Sequence, residues 1–230
     1  MNKFIAFVLF AVCTVIVSPN AIGKTSPPKS NSKTTTSKTT STTTKKKEEV
    51  KEVKSFTIQQ TPGKINWLTW DEMVKLNEKN PKKIFVDFYT SWCGWCKVMD
   101  KNTFEDSVVA DIMSKDFYCV KFDAERRDTI NFLNKNWTFI PGGRSGYHEL
   151  AAYFMQNQLS YPTFVILTSD YKLITPLKGY IAVPQFEPVI DFLGKDYWKP
   201  ESGKNIEAYK QEYKSPRKTP WVQPSGPGGH

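Results

Sequence analysis

The sequence predicts an α/β fold, and three features carry that expectation. Ile84-Phe85-Val86-Asp87-Phe88-Tyr89 is a nearly continuous apolar run of the kind found in a parallel strand covered on both faces. Phe117 to Asp123 returns as a second strand after a helical stretch, so residues 84–123 read as a strand, helix, strand unit with a right-handed crossover. Phe164 to Thr168 and Lys172 to Tyr180, separated by Ser169-Asp170, then read as two partner strands joined by a turn.

The remaining elements follow in chain order. Lys64 to Trp67 is a short candidate strand. Thr69-Trp70-Asp71-Glu72 is a capping-box pattern, opening a helix that Asn80-Pro81 ends. Lys97 to Lys101 continues a helix, and Asp106 to Ser114 forms another with Val108, Val109, Ile112 and Met113 on its apolar side. Residues 124–160 are longer than a connection requires. Thr129 to Asn134 and Tyr147 to Gln156 read as helical, divided by the turn signal Pro141-Gly142-Gly143-Arg144-Ser145-Gly146. Trp137, Phe139 and Tyr147 either pack as core, the favoured reading, or extend a groove. Pro176 marks its strand as an edge or a bulge, and Gln185 to Leu193 supplies an amphipathic helix. Asn205 to Tyr213 reads as one more helix, before a tail rich in Pro and Gly.

Four segments are expected: a signal peptide at 1–23, a disordered linker at 24–54, the folded domain at 55–200, and an extension at 201–230 that is largely a disordered tail. The first has a basic start at Lys3, an apolar run through Val17 and a small-residue end, the order of a secretory signal. A single membrane anchor is the competing reading, though the run is short for a span of about 20 residues. Cys13 lies inside the run, behind Val12, and so is poorly placed for lipidation. The linker is Thr, Ser, Lys and Pro with almost nothing to bury.

The formal charge of +9 suggests nucleic acid until it is located. Nine Lys and three Glu sit at 24–54, which leaves the part from Ser55 onward at only +2. Nucleic-acid binding by the folded part is therefore excluded. Lys45-Lys46-Lys47 leaves room for weak association with an anionic envelope surface, with a plain solubilising linker the preferred alternative.

Export would leave three cysteines, Cys93, Cys96 and Cys119, too few and too odd for a disulfide scaffold. Cys93-Gly94-Trp95-Cys96 follows the strand directly and opens a helix. A thiol there lies near unsatisfied N–H groups and the positive end of the helix dipole, which favours the thiolate. Cys93 is thus the candidate nucleophile and Cys96, one turn on, the resolving thiol. A structural staple and half of a zinc site are the competing readings. A four-residue loop contributes little as a staple, and zinc would need help from Cys119, His148 or His230. Asp87 is a carboxylate in an otherwise apolar strand, where desolvation is expected to raise its pKa. Cys119, on a strand, is expected to be buried and inert.

Phe85 to Lys97, with the strand Asp, the Trp before the first Cys and the Lys after the second, resembles the active-site segment of the thioredoxin-like family. Tyr161-Pro162-Thr163 before an apolar strand is similar to that family's cis-proline loop, and Gly179 falls where the family has a glycine before its last helix. The resemblance spans about Ile65 to Leu193. It implies a three-layer fold with a central mixed sheet of four or five strands flanked by helices, here with an enlarged segment before the cis-Pro loop. It also implies a redox-active Cys93–Cys96 disulfide as the sole cofactor, a cis Pro162 facing the pair, and a substrate groove bordered by Trp92, Gly94, Trp95, Tyr161, Pro162 and Thr163. By the same resemblance Asp87 exchanges protons with Cys96, an ordinary hydrogen-bonded Asp at the sheet rim being the competing reading. Gly-Trp between the cysteines departs from thioredoxin's Gly-Pro, which leaves the direction of electron flow open.

The expected function is exported dithiol/disulfide exchange with protein substrates, as reductase or isomerase rather than oxidase, by a monomeric, periplasmic protein. Extracellular placement is the alternative. Its partners would be protein thiols and disulfides together with a membrane or soluble electron-transfer protein. A thioredoxin-fold binding or chaperone module without essential redox chemistry is the competing class; a thiol peroxidase is a third, for which no peroxide-binding pattern is visible.

Overall fold

Residues 60–143 and 145–222 are described by a computed structural model, all within a unit that runs from Val53 to His230. The expected signal peptide and linker, and residues 223–230 of the tail, lie outside the described residues.

The first half holds β1 (Trp67–Leu68), α1 (Trp70–Lys79), β2 (Lys83–Tyr89), α2 (Gly94–Met99), a π-helical turn at Asp100–Phe104, α3 (Ser107–Asp116) and β3 (Phe117–Asp123). An insert follows, with β4 (Ile130–Phe132), β5 (Lys135–Trp137), β6 (Phe139–Ile140), β7 (Tyr147–His148) and α4 (Glu149–Phe154). The chain then forms β8 (Thr163–Leu167), β9 (Leu173–Lys178), α5 (Val183–Gly194), a 3-10 turn at Pro200–Ser202 and α6 (Ile206–Glu212).

The main sheet has the order β1-β3-β2-β8-β9. β1 and β2 run parallel to β3, while β8 is antiparallel to both β2 and β9, so the sheet is mixed. Alternation along β2 builds the layers. Ile84, Val86 and Phe88 face a core shared with Trp70 and Met73 of α1 and Leu150 of α4. Phe85 faces the opposite core, with Met99 of α2, Phe104, Val109 of α3 and Phe186 of α5. Burial of Ile84 to Phe88 on both faces explains why the sequence is a run rather than an alternation.

Local signals read from the sequence have their physical counterparts. Thr69 and Glu72 form the capping box, with Thr69 N–H donating to Glu72 Oε2 at 2.8 Å and Glu72 N–H to Thr69 Oγ1 at 3.3 Å. Pro176 sits on β9, at one end of the sheet, next to a register shift between Ile166 and Leu167. Asp106 caps α3 by accepting from the N–H groups of Val108 and Val109, both at 3.1 Å.

Two expectations are corrected. Residues Thr129 to Asn134 are not helical: β4 and β5 form a hairpin closed by Leu133 and Asn134, both at positive φ (50° and 58°). The period-2 burial of Ile130 and Phe132, with Asn131 exposed, was the overlooked strand signal, and Trp137 buries opposite Ile130. The helix expected from Tyr147 is shorter, because Tyr147 and His148 pair as β7 with β6.

The packing also continues past residue 200. α6 covers the expected Asn205 to Tyr213 stretch, with Asn205 as its cap, and Ile206, Tyr209 and Trp221 pack on the core around α3 and α5. Arg217 fixes this strap, binding both oxygens of Asp106 (2.9 and 3.0 Å) and the buried Glu187. A tail read from its Pro and Gly content gives no sign of such a single-residue anchor.

Candidate active site

β2 delivers the chain to the site. Its end leads through Thr90 to Cys93, whose N–H donates to Thr90 C=O at 3.1 Å. Cys93 is the N-cap of α2, in extended conformation, and its Sγ accepts the Cys96 N–H at 3.0 Å. The sulfur therefore takes the place that a Ser or Asp oxygen fills in an ordinary cap, and a negative charge on it would be stabilised by that N–H. Cys93 and Cys96 are joined by a disulfide across Cα atoms 5.3 Å apart, and both are buried. A Cβ at Gly94 would meet nothing within 4 Å, so the approach over the first turn is open.

Two segments distant in sequence converge on this turn. Tyr161-Pro162 is a cis peptide bond, as expected, and the Tyr161 ring meets Trp92 edge-on with centroids 5.9 Å apart. Gly179 donates its N–H to Pro162 C=O at 2.8 Å, and its φ of 78° is one that a side chain would strain. That turn sets Tyr180 against Trp95, at 5.5 Å between ring centroids. Trp92 and Trp95 are 64% and 59% exposed, so each side of the disulfide carries an indole open to solvent and backed by a tyrosine. Burial pushes the Tyr161 phenol up to about 12, with Glu125 and Asp123 adding to the effect. Thr163 departs from its expected place in the groove. It is fully buried with its hydroxyl donated to Ser160 C=O at 2.7 Å, so it braces the loop from within.

Asp87 is 1% exposed and shares the face of Phe85, the side covered by α2. Burial pushes its carboxyl up to about 6, against the downward pull of Lys121, whose Nζ lies 2.8 Å from Oδ2. Oδ1 has no hydrogen-bond partner among the described residues. Lys121 also contacts Asp100 in the π-helical turn, and its Nζ lies 5.1 Å from the Trp67 ring centroid. Burial alone would depress the Lys121 ammonium; the two carboxylates outweigh it and hold its pKa above the ordinary value. A cleft of about 620 Å³ lined by Trp67, Phe104, Asp100 and Lys121 reaches the partners of the buried carboxyl, while Asp87 itself does not line it.

The sequence reading missed Lys121, although it is the one charge before the end of β3 and pairs in register with Asp87. Setting the two parallel strands side by side would have found it. Glu125 was missed as well; it accepts the Trp92 indole N–H at 2.9 Å.

Of the residues considered for a zinc site, Cys119 and His148 are committed elsewhere, and His230 lies outside the described residues. Cys119 is buried, with burial pushing its thiol up to about 12. His148 is fully buried: Nδ1 accepts the Leu150 N–H at 3.2 Å to cap α4, leaving Nε2 to donate to Asp128 C=O at 3.1 Å. Among the described residues no three His, Cys, Asp or Glu side chains gather in a metal-holding group.

A mixed sheet with helices on both faces, a helix-capping Cys-X-X-Cys pair and a cis-proline loop beside it define a thioredoxin-fold protein. Residues 47–182, more than half of the chain, match the family model Thioredox_DsbH, described as "Protein of unknown function, DUF255", and the chain belongs to that family. It is similar to an uncharacterized protein of Caenorhabditis elegans (29% identical over 126 residues, 54% of this chain and 15% of the relative). Spermatogenesis-associated protein 20 of Homo sapiens is 28% identical over 98 residues, 42% of this chain and 12% of the relative, so this chain spans a small part of the curated relatives' length. Among solved structures, a thioredoxin from Thermus thermophilus aligns over 61% of this chain and 97% of its own at 16% identity, with a TM-score of 0.45.

Proposed function

We propose that the protein is a thiol-disulfide oxidoreductase that exchanges disulfides with protein substrates through Cys93 and Cys96. The observation that carries this reading is the Cys93 sulfur at the cap of α2, hydrogen-bonded by the Cys96 N–H. In the reduced protein, the Cys93 thiolate attacks one sulfur of a substrate disulfide; a mixed disulfide forms and the first substrate thiolate leaves. Cys96 gives up its proton, with Asp87 as the base on the same face, and attacks Cys93 Sγ. The Cys93–Cys96 disulfide re-forms, the second substrate thiolate departs, and two electrons have passed to the substrate. A partner dithiol returns the protein to its reduced state by the same steps in reverse.

Trp92 and Trp95, exposed, and the half-buried Tyr161 form the aromatic surface on which an extended, cysteine-bearing segment rests, and Tyr161 lies just beyond the β8–β9 ladder, whose first paired rung is Thr163 with Lys178. The aromatic walls suit unfolded or flexible chains, whichever way the electrons pass. The N-terminal sequence supports action in an exported compartment, and no described helix is long and apolar enough to cross a membrane.

The decisive experiment is a Cys96→Ala variant expressed with its natural N-terminus. Mixed disulfides through Cys93, reversed by dithiothreitol, are expected, together with insulin reduction by the unsubstituted protein. Absence of adducts and of insulin reduction would overturn the reading. Titrating the Cys93/Cys96 couple against glutathione fixes the direction, since reductants and strong oxidants of this fold differ by about 150 mV.

A further inference from the structure

We propose that Glu125, braced by Ser145, is a positioning residue that fixes the Trp92 ring as one wall of the substrate groove, so that the insert between β3 and β8 sets the groove. The inference rests on the redox reading above and concerns the same site.

An indole that is 64% exposed has little packing to hold it. Two contacts hold Trp92: the edge-on Tyr161 ring, and the hydrogen bond from Nε1–H to Glu125 Oε1 at 2.9 Å. The same carboxylate oxygen accepts the Ser145 hydroxyl. Among the described residues, the Trp92 indole N–H and the Ser145 hydroxyl are the side-chain donors to the Glu125 carboxylate.

Its backbone is held with equal care. The Glu125 N–H donates to Asp123 Oδ1 at 3.0 Å. The residue before it is tied on both sides, Ala124 N–H to Tyr89 C=O at 2.8 Å and His148 N–H to Ala124 C=O at 2.7 Å. These bonds connect the end of β2, where the redox loop begins, to β7 of the insert. Ser145 is placed in turn by Gly146, whose φ is 81° and whose Cβ, if it had one, would lie 2.4 Å from Ile140 C=O. Only glycine fits at that position, next to the Ser145 hydroxyl that donates to Glu125. The chain of contacts runs from the folded insert through Ser145 and Glu125 to an aromatic ring beside the disulfide.

A carboxylate near Cys93 could act instead through its charge. Gln separates the two roles, since its Oε1 accepts both donors without a charge. The test compares the unsubstituted protein with Glu125→Gln, Glu125→Ala and Ser145→Ala, each checked for folding by its unfolding midpoint. Steady-state kinetics use a disulfide-linked peptide with Phe beside its cysteine, over a range of pH, and the exchange rate of the Trp92 indole N–H is measured by NMR. Glu125→Ala is expected to raise KM about five-fold at nearly constant kcat, the loss of one hydrogen bond's worth of ordering, with indole exchange at least about ten-fold faster. Ser145→Ala should move both in the same direction by less, and Glu125→Gln should restore both. Equal behaviour of the Gln and Ala variants, or indole exchange unchanged in Glu125→Ala, overturns the proposal. If the unsubstituted protein turns over no disulfide, the redox reading fails, while indole exchange and peptide affinity still decide whether Glu125 positions Trp92.

Discussion

Asp87→Asn should make the oxidised protein more stable at neutral and alkaline pH while leaving it nearly unchanged in acid. The carboxyl is buried at the centre of the sheet, and burial moves it from 3.8 to about 6. At about 1.4 kcal/mol for each tenfold change in acidity, ionising it in the folded state costs about 3 kcal/mol more than in the unfolded chain. The sign follows from which state holds the proton. Below about pH 3 the side chain is largely neutral folded and unfolded alike, so its ionisation contributes little. Between about pH 4 and 6 the unfolded chain releases its proton first, and the unsubstituted protein loses stability as pH rises. Above about pH 7 the whole penalty is present. Asn removes it, and Lys121 keeps Asp100 as its partner rather than being left an uncompensated charge. Urea unfolding of both proteins at about pH 4, 5, 6, 7 and 8 reads the difference, which should grow to at most about 3 kcal/mol. A difference that is flat with pH, or an Asn variant less stable at pH 8, would refute the reasoning that burial dominates over the Lys121 pair. The same substitution should slow release of the mixed disulfide by at least about tenfold, seen as persistence of the Cys93 adduct.

Other outcomes are expected elsewhere in the fold. Arg217→Ala leaves Asp106 and the buried Glu187 without their shared cation, and should cost about 3 kcal/mol in denaturant unfolding. Thr69→Ala removes the capping box of α1 and should lower stability by about 1 kcal/mol in the same assay. Leu133→Asn, at a positive-φ position exposed to solvent, should raise the unfolding midpoint, with a gain of up to about 1 kcal/mol. Cys119 should resist a thiol reagent in the native protein and react in urea, since burial both shields the thiol and holds its pKa up to about 12.

The parts of the fold legible in the sequence were those set by local chemistry. The Thr69–Glu72 cap, the buried run of β2 and the Pro176 edge each depend on residues a few positions apart. The hairpin at β4 and β5 was misread because its three-residue strands give periodicity little length to act on, and because Leu133 is an unusual residue for a positive φ. At the site, the cysteine pair and Pro162 could be placed in advance because their order along the chain is diagnostic. Lys121, Glu125 and Tyr180 could not, for their roles arise from strand register and from turns that bring distant segments together. Arg217 belongs with them: nothing near it in sequence announces two carboxylates more than 25 residues away.

The two ends of the main sheet bear on a hazard that comes with exposed aromatic rings. A surface that receives extended chains invites those chains to add on as strands wherever a sheet edge offers a row of free backbone groups. One edge here, β1, is two residues long; the other, β9, is interrupted by Pro176 and disturbed by a register shift. Neither offers a visitor much length on which to zip up. The protein can thus present sticky indoles at one corner while its flanks stay blunt, and under the proposed function a cysteine-bearing chain that lands there would meet no long sheet edge to hold it once the exchange is done.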